Sequence, residues 1–366
     1  MSQPGMFDAG SDPYFARTGP VFSNHNPPLS ARTGMPKLYI KEYQKALVGK
    51  TLLIACREGI LRDHFSHIVE DIRFLDRQGV HTIFLHNLSN RFANQKHFTR
   101  LAFKLFNTRV VRIPSDRDFY ECVLNYPARV SKIIFLERKY LIGPNGLRIN
   151  SLSTQKARQG NFTYGDLIGN LNFKRVIEQV CQKIESNEIE RVHILPAGKH
   201  TIKHELFTIE GTGTLIANNF VETFEPLRTD EDLQMVSHIL TICHKEGYLK
   251  LRSRQYVEAH RQNFFTAKID GIIVGCTEKL PIDENAVELG ALAISTKFRN
   301  QQIGLLLIRS FIEEMEKQGY KTIISLTNNP KLKDLYLSLG FEEKSPAAYR
   351  RRQEQSPGVT MYHRNL

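Results

Sequence analysis

The residues best suited to bind a charged ligand lie in one stretch, 287–307, with the sequence VELGALAISTKFRNQQIGLLL. This stretch predicts a buried strand, a loop and the first turn of an amphipathic helix. The first N–H groups of a helix lack intrahelical partners and carry a partial positive charge, so they favour bound phosphate. Arg299 in the loop and Gly304 at the helix start therefore predict a diphosphate site. A plain strand-to-helix turn, in which Gly304 only permits close packing, is the alternative.

Length and composition indicate a globular chain with two folded units. The chain has 366 residues, more than one typical domain of about 100–200 residues. Hydrophobic residues make up 41% of it, and no apolar run approaches the ~20 residues of a membrane-spanning helix. Residues 1–36 are rich in Gly, Pro, Ser and Asn and lack the apolar segment of a secretory signal. We expect them to form a disordered tail.

The net charge and the cysteine content indicate which classes of ligand and which kinds of cysteine site to expect. The net charge of +12 favours anionic ligands, but the basic residues are spread along the chain and do not form one stripe. A polyanionic small molecule is therefore favoured over nucleic acid as a partner. The five cysteines are scattered without C-x-x-C spacing, which indicates neither a disulfide framework nor a metal site. We expect a cytoplasmic protein without a bound metal and without a membrane segment.

Residues 37–218 predict a three-layer α/β domain. Strands are predicted at TLLIA, VHTIFLHN, VVRI, SKIIFLE and ERVHILP, and helices at residues 65–79, 95–106, 116–125 and 166–186. A turn is expected after the first strand, at residues 57–59. Strands and helices that alternate with short connections indicate parallel crossover units covered by helices.

Residues 219–366 predict a second unit, a mixed sheet with helices on both faces. Thr229 or Asp230 is expected to cap an amphipathic helix, and Asp270-Gly271 is typical of a hairpin turn. Further elements follow: strands at VELGALAI, KTIISLT and residues 359–362, and helices at residues 304–318 and PKLKDLYLSLG.

The order of strand, R-x-x-x-x-G loop, helix and strand, followed by LYLSLGF, resembles the GNAT superfamily of acyl-CoA-dependent N-acyltransferases. The usual loop is Q/R-x-x-G-x-G/A; Arg299 and Gly304 fit it, but Gln302 stands where the first glycine is expected. The resemblance implies acetyl-CoA as co-substrate, with its pantetheine arm along the strand and its pyrophosphate on the loop. The coenzyme-binding residues would be Leu292, Ala293, Ile294, Arg299, Asn300, Gln301, Gln302, Ile303 and Gly304.

Residues 38–366 together resemble bacterial-type N-acetylglutamate synthase, in which an amino-acid-kinase-like domain precedes a GNAT domain. The most specific match is ERVHILPAGKHTIKHELFTIEGTGTLI. Kinases of this fold have a lysine and paired glycines after the first strand, whereas this chain has ACREG at residues 55–59, which argues against phosphoryl transfer. The domain is also shorter than the family's between residues 107 and 129. We therefore expect a truncated, degenerate kinase-like domain that serves as a scaffold or sensor.

Moving an acetyl group from a thioester to an amine requires a base, donors for the oxyanion and an acid for the departing thiolate. The resemblance implies Glu288 as a base acting through water and Thr327, in SLTNN, as the acid. Tyr336 is a competing acid because many GNAT enzymes have a tyrosine at this spacing from the final Gly-Phe. A surface glutamate at 288 and a core tyrosine at 336 are the alternatives.

The resemblance also implies L-glutamate as the acceptor amine, whose two carboxylates need cationic partners. The matching arginine positions are changed: Leu251 stands at one, and Gln355 lies near the other, just after the arginine run at 350–352. We therefore expect Lys250 and Arg252, on either side of Leu251, to bind the acceptor.

In arginine-sensitive relatives the ELFT segment holds allosteric L-arginine. By motif position, His200, Glu205, Gly211 and Gly213 would do so here. The Glu205 carboxylate would pair with the guanidinium, and the glycines would let the backbone approach the ligand. A helix start and a turn without any ligand are the alternative.

The resemblance implies an acetyl-CoA-dependent amino-acid N-acetyltransferase that makes N-acetyl-L-glutamate from L-glutamate, the first step of arginine biosynthesis. The changed arginine positions leave open another acidic or amino-acid acceptor, or lost activity. Relatives assemble through the kinase-like domain, so a homo-oligomer is expected. One rival is a GNAT enzyme for another amine, such as a polyamine, a drug or a protein terminus. The other is a catalytically silent arginine-binding or assembly protein.

Overall fold

Two seven-stranded sheets follow one another along the chain in the computed structural model, which describes residues 38–89, 105–160, 162–163, 171–218, 223–299 and 303–366. Every strand of the first sheet ends by Ala217, and every strand of the second begins at Thr223 or later. The predicted boundary between residues 218 and 219 therefore falls between the two sheets. The predicted tail at residues 1–36 lies outside the described residues.

The first sheet is mainly parallel. Its strands are β1 (Thr51–Cys56), β2 (His81–His86), β3 (Thr108–Arg112), β4 (Lys132–Glu137), β5 (Ser151–Leu152), β6 (Arg191–Pro196) and β7 (Thr214–Ala217). They are ordered β3-β2-β1-β4-β6-β7-β5, with β3, β2, β1, β4 and β6 parallel and β7 antiparallel to β6. The predicted parallel crossover units are thus present.

Helices cover both faces of the first sheet. They are α1 (Ile40–Leu47), α2 (Glu58–Asp63), α3 (Phe65–Arg77), α4 (Phe119–Leu124), α5 (Thr154–Gln159), α6 (Leu171–Glu185) and α7 (Thr201–Phe207). Leu52 and Ile54 of β1 pack in the apolar cluster that contains α3, whereas Leu53 and Ala55 pack in the cluster that contains α4 and α6. The predicted three layers are confirmed, because alternate β1 side chains enter different helix layers.

The second sheet is mixed, as predicted. Its strands are β8 (Thr223–Pro226), β9 (Phe264–Ile269), β10 (Ile272–Pro281), β11 (Ala286–Ile294), β12 (Thr322–Thr327), β13 (Glu342–Glu343) and β14 (Thr360–Asn365). The order is β13-β14-β12-β11-β10-β9-β8; β11 and β12 are parallel and the other neighbours are antiparallel. Its helices are α8 (Asp230–Lys245), α9 (Arg254–Ala259), α10 (Ile303–Lys317), α11 (Pro330–Ser338) and α12 (Arg350–Glu354).

Two local predictions in this half are confirmed. The Thr229 hydroxyl caps α8 by accepting the Asp232 N–H at 3.0 Å. Asp270 and Gly271 both have positive φ, 53° and 70°, which is the geometry of the two-residue turns that join antiparallel strands.

Other predicted bounds differ from the structure. The turn expected at residues 57–59 is the start of α2, and the helix expected at residues 116–125 is the shorter α4. Residues 90–104, and with them most of the helix predicted at 95–106, lie outside the described residues. Leu105 and Phe106 are described and are not helical.

An ion cluster fastens the two halves to each other. The Asp270 carboxylate, in the β9–β10 turn, lies 2.8 Å from Arg191, 3.1 Å from Lys50 and 3.4 Å from Lys132. Burial alone would raise the pKa of Asp270, but the cations Arg191, Lys132 and Lys50 lower it to about 2. The Lys132 side chain is only 5% exposed, and its charge is compensated by Asp270 at 3.4 Å and by Glu190 at 3.7 Å.

We predict that Asp270→Asn destabilises the protein, because Arg191 and the buried Lys132 then lose the carboxylate that they share. Removing one partner of a buried ion pair costs ~3 kcal/mol. The midpoint of the first urea-induced transition measures the effect, and Asp116→Asn, which changes an exposed carboxylate, is the control.

The effect of Asp270 should also depend on pH. A carboxylate whose pKa is lowered on folding stabilises the folded protein above its unfolded pKa and ceases to do so as pH falls through its folded pKa. The difference between wild type and Asp270→Asn should therefore shrink from about pH 4 towards pH 2. Equal stability of the two variants at pH 7 would contradict this.

Candidate active site

The pairing between β11 and β12 of the second sheet stops after Glu288, and the region between the unpaired ends of the two strands is called the cleft below. The two parallel strands are paired only from Ala286 to Glu288, opposite Thr322 to Ile324. β11 nevertheless runs on to Ile294, and β12 runs on to Thr327. The predicted coenzyme-binding residues Leu292, Ala293 and Ile294 therefore lie on β11 beyond its last pair with β12.

A β-bulge turns β11 at the mouth of this cleft. Gly290 and Ala293 lie opposite Glu278 and Cys276 of β10, so β11 has one more residue than β10 between these pairs. Ala291, within the bulge, has a φ of 44°, a conformation that side chains other than glycine seldom adopt. Val287 and Leu289 pack in the cluster that contains Phe311 of α10, whereas Ala291 and Ala293 pack in the cluster that contains α8. The bulge thus changes which face of the strand points to which helix.

Gly304 brings the start of α10 close to the end of β11. A Cβ atom at Gly304 would lie 3.3 Å from Ile294 Cδ1 and 3.4 Å from Leu335 Cδ2, closer than most real contacts. The predicted order of strand, loop and helix is therefore present, with the helix N-terminus against the strand that borders the cleft. Ile303 is 1% exposed, so its side chain belongs to the core. Asn300, Gln301 and Gln302 lie outside the described residues.

The Arg299 side chain is engaged at the end of α8. Its Nη2 atom lies 2.5 Å from Glu246 Oε2, and the guanidinium lies 5.3 Å from the centre of the Tyr248 ring. A contact between Arg299 and a diphosphate would require the guanidinium to exchange Glu246 for the ligand. Its role in coenzyme binding stays a prediction.

Glu288 is buried and held by an arginine that the sequence did not single out. Its residue exposure is 5%, so the alternative of a surface glutamate does not hold. Arg352 of α12 donates from Nε to Glu288 Oε2 at 2.5 Å and from Nη2 to Oε1 at 2.9 Å. This two-pronged geometry is the strongest form of arginine–carboxylate pairing. Arg352 also donates from Nη1 to Ser356 Oγ at 3.1 Å.

The two predicted acceptor-binding residues, Lys250 and Arg252, lie in the same region, and their role in binding the acceptor stays a prediction. Arg252 donates from Nε to Glu278 Oε2 at 2.9 Å, and the Tyr256 hydroxyl donates to Oε1 at 2.6 Å. Glu278 is fully buried on β10 and was missed by sequence reasoning.

Lys250 is a third cation, besides Arg252 and Arg352, in the region of the two carboxylates. Burial first, and then the nearby Arg352 and Arg252, lower the pKa of Lys250, whereas Glu288 opposes this. Three cations and two carboxylates, Glu278 and Glu288, thus share this region. The excess positive charge suits a ligand with a net negative charge.

The two candidate acids, Tyr336 and Thr327, differ in how deeply their hydroxyl groups are buried. Tyr336 is 1% exposed and packs in the core with Phe341 and Tyr362, with its hydroxyl 2.8 Å from Ser325 Oγ. Burial raises the pKa of Tyr336, against the effect of Ser325, which makes the hydroxyl a weaker acid. Thr327, at the end of β12, is half-buried, and its Oγ1 accepts the Asn329 N–H at 3.1 Å. Thr327 is therefore the better placed of the two for a reaction in the cleft.

Three of the four residues predicted to hold arginine come together in the first half. The buried Glu205 carboxylate accepts N–H groups from Thr212 at 2.6 Å and Gly213 at 3.0 Å, and lies 2.7 Å from His193 Nδ1. A Cβ atom on Gly211 would lie 2.8 Å from Glu205 Oε2, so this glycine makes room for the carboxylate itself.

His200 does not join this group at Glu205 by any contact that the structure shows. It is the N-cap of α7, and its Nδ1 lies 3.8 Å from Asp71 Oδ1.

Within the described part of the chain, no three His, Cys, Asp or Glu side chains are arranged to hold a metal ion. The described helices also include none with both the length and the apolar character needed to cross a bilayer.

Comparison with known proteins places the second half in context. Residues 233–341 match the Acetyltransferase (GNAT) family. An amino-acid acetyltransferase of Shewanella oneidensis is 28% identical over 164 residues, which is 44% of this chain and 35% of the relative. The amino-acid acetyltransferase of Neisseria meningitidis serogroup B is 26% identical over 263 residues, 67% of this chain and 58% of the relative. The chain thus spans between about a third and three fifths of these curated relatives.

Among solved structures, the chain is similar to N-acetylglutamate synthase from Neisseria gonorrhoeae complexed with coenzyme A and L-arginine. The similarity covers 90% of this chain and 100% of that one, with 17% identity and a TM-score of 0.48.

Proposed function

We propose that the protein transfers the acetyl group of acetyl-CoA to the amino group of an acidic amino acid, with L-glutamate as the preferred acceptor. The observation that carries this proposal is the cleft between β11 and β12, bordered by the buried Glu288 and by the start of α10. The match to the GNAT family and the names of the curated relatives support it. Cytoplasmic location, homo-oligomeric assembly and a kinase-like ancestry of the first half stay predictions.

In this proposal the backbone binds the coenzyme. Leu292, Ala293 and Ile294 offer the polar groups of a strand edge to the pantetheine arm, because β12 pairs with β11 only as far as Glu288. The diphosphate binds where the first N–H groups of α10 come together. Acetyl-CoA itself supplies the activated acyl group as a thioester.

Glu288 acts as the general base, directly or through one water molecule, and Thr327 protonates the departing thiolate. The Glu288 carboxylate is bound by Arg352 in the structure, so both of its oxygens are occupied by guanidinium N–H groups. An acceptor carboxylate that competes for Arg352 would release Glu288. Binding of an acidic amino acid would then itself free the base.

The charge of the cleft favours such an acceptor. Lys250, Arg252 and Arg352 exceed Glu278 and Glu288 by one positive charge, and only Arg252 and Arg352 are paired with these carboxylates in the structure. Glutamate brings two carboxylates, so its net charge complements this excess. A polyamine would add positive charge to a region that already has too much.

We predict that thiol release from acetyl-CoA depends on Glu288. In a panel of amines, acidic amino acids should give the fastest release, and Glu288→Gln should lower kcat by ~10²-fold or more because the base is lost. Free thiol is followed by a colorimetric reagent, and calorimetry should show unchanged coenzyme binding. Glu284→Gln is the control: Glu284 is exposed in the bend between β10 and β11, and this variant should retain full activity. No turnover with any amine would favour a silent binding protein, and fastest release with polyamines would favour the other rival.

We predict further that Arg352 selects the acceptor carboxylate. Arg352→Gln should raise the KM for glutamate about ten- to hundred-fold, the equivalent of a lost charge-assisted hydrogen bond. The same variant should not raise the KM for an amine without a carboxylate. Arg351→Gln, which changes the exposed neighbour in the same helix, is the matched control. An equal loss with both kinds of amine would mean that Arg352 has only a structural role.

We propose secondly that L-arginine acts as an effector. One contact between the two halves supports this proposal. The turn after α7 is bonded to the segment that leads into the coenzyme loop: Ile209 O accepts from Ser295 Oγ at 2.8 Å and from the Lys297 N–H at 3.3 Å. A ligand that disturbs Glu205 would therefore act on the loop. Because Glu205 already accepts internal donors, a guanidinium must displace at least one of them.

We predict that L-arginine shifts both the Tm and the rate of thiol release, and that L-citrulline, which has no guanidinium charge, shifts neither. The measurements are a thermal melt and a rate assay with each amino acid at the same concentration. If arginine leaves both quantities unchanged, the segment is a joint between the domains and not a sensor.

A further inference from the structure

A small, partly open space lies between the two halves of the protein, and none of the predicted acceptor-binding residues lines it. It has a volume of about 30 Å³. Such a space admits a water molecule or a monatomic ion but not an amino acid. Its polar lining comes from both halves: Lys132, Arg191, His193, Asp270 and Lys297. The remaining lining is apolar and comes mainly from α1, β7, β9 and the residues next to them.

Positive charge exceeds negative charge around this space. The cations are Lys50, Lys132, Arg191 and Lys297, and the carboxylates in reach of them are Glu190, Glu205 and Asp270. Asp270 is shared by three of the four cations. Lys297 instead donates to the backbone carbonyl of Glu205 and lies 5.2 Å from the centre of the Tyr43 ring. Among the described residues, the four cations around this space thus exceed the three carboxylates in reach of them by one charge.

His193 adds a buried polar atom without a partner among the described residues. Its side chain is 3% exposed, and its Nδ1 is bonded to Glu205 Oε1 at 2.7 Å. Its Nε2 atom is buried and has no hydrogen-bond partner in the described part of the chain. His193 is one of the residues that line the space, so a group bound there can reach its imidazole ring.

The ionisation of the lining groups agrees with an excess of positive potential. Burial lowers the pKa of Lys132 to about 7, with a further effect of Arg191, and lowers that of Lys297 to about 8. Burial also lowers the pKa of His193, and the nearby Lys297 and Lys132 add to this effect, whereas Glu205 opposes it. A bound negative charge would reverse these shifts.

We propose that this space binds a monatomic anion of the chloride type, held by the ammonium groups of Lys132 and Lys297 and by the Nε2–H of a protonated His193. The anion would supply the missing counter-charge and connect β4 and β6 of the first half with Lys297, just after β11 of the second. This site does not depend on the transferase proposal, because it contains none of the residues assigned to the reaction.

Binding of the anion should be coupled to uptake of protons. The ammonium groups and the imidazolium bind it only when protonated, so affinity falls as pH rises through the pKa values of Lys132, about 7, and Lys297, about 8. The fixed charges that face these groups are Arg191 and Lys50 on the positive side and Asp270, Glu190 and Glu205 on the negative side. Burial raises the pKa values of Asp270 and Glu205, but their charged and hydrogen-bonding neighbours lower them overall, so both carboxylates stay ionised from pH 6.5 to pH 9.

The test uses the full chain in sodium bromide or chloride, with sodium gluconate added to keep the ionic strength constant, because gluconate is too large for the space. We expect a saturable rise in Tm of roughly 3 °C at pH 6.5 with either halide, and a much smaller rise at pH 9. Lys132→Met should lose this rise, and Lys174→Met, which removes an exposed lysine of α6, should keep it.

Diffraction gives a second readout that does not depend on a folded variant. Wild-type crystals grown at pH 6.5 in sodium bromide should show an anomalous bromide peak inside the space, next to Lys132 Nζ or Lys297 Nζ. Water alone in the space, or a melting curve indifferent to the halide, would overturn the proposal.

Discussion

The separation of β11 from β12 after Glu288 is the constraint on which the candidate site depends. A parallel pair that stayed together would leave no free strand edge in the middle of this sheet. Here the pairing stops after three residues, and the bulge at Ala291 lets β11 keep its bonds to β10 while it turns away. Gly304 then allows α10 to begin against the freed strand. One strand thus provides a row of backbone groups, a buried carboxylate and a seat for a helix N-terminus.

The first half contributes by holding this arrangement from outside. The segment after β11 is bonded to it at three places: Ser295 to Ile209, Lys297 to Glu205, and Ser151 to the Arg299 carbonyl. Asp270 adds an ionic link at the far end of β9. Several polar groups of the first half thus have their partners in the second half, and whether the first half serves as a scaffold or as a sensor stays a prediction.

The sequence predicted those structural features that are determined by residues close to each other in the chain. The Thr229 cap, the Asp270-Gly271 turn and the strand, loop and helix around Gly304 all follow from residues within a few positions of each other. The partners of the carboxylates were not predictable, because Glu288 lies 64 residues from Arg352 and Glu278 lies 26 from Arg252. Three successive arginines, 350–352, look alike in sequence, and only the orientation of α12 makes the third one half-buried. The bulge was hidden as well, because VELGALAI alternates in the same way with or without it.

The most direct measurement of the central claim is a crystal structure of the protein with coenzyme A. The account predicts that the diphosphate lies at the first turn of α10, the pantetheine arm runs beside Leu292 to Ile294, and the thiol ends within reach of Glu288 through one water molecule. Coenzyme bound elsewhere, or β11 and β12 closed together with no coenzyme at saturating concentration, would contradict it.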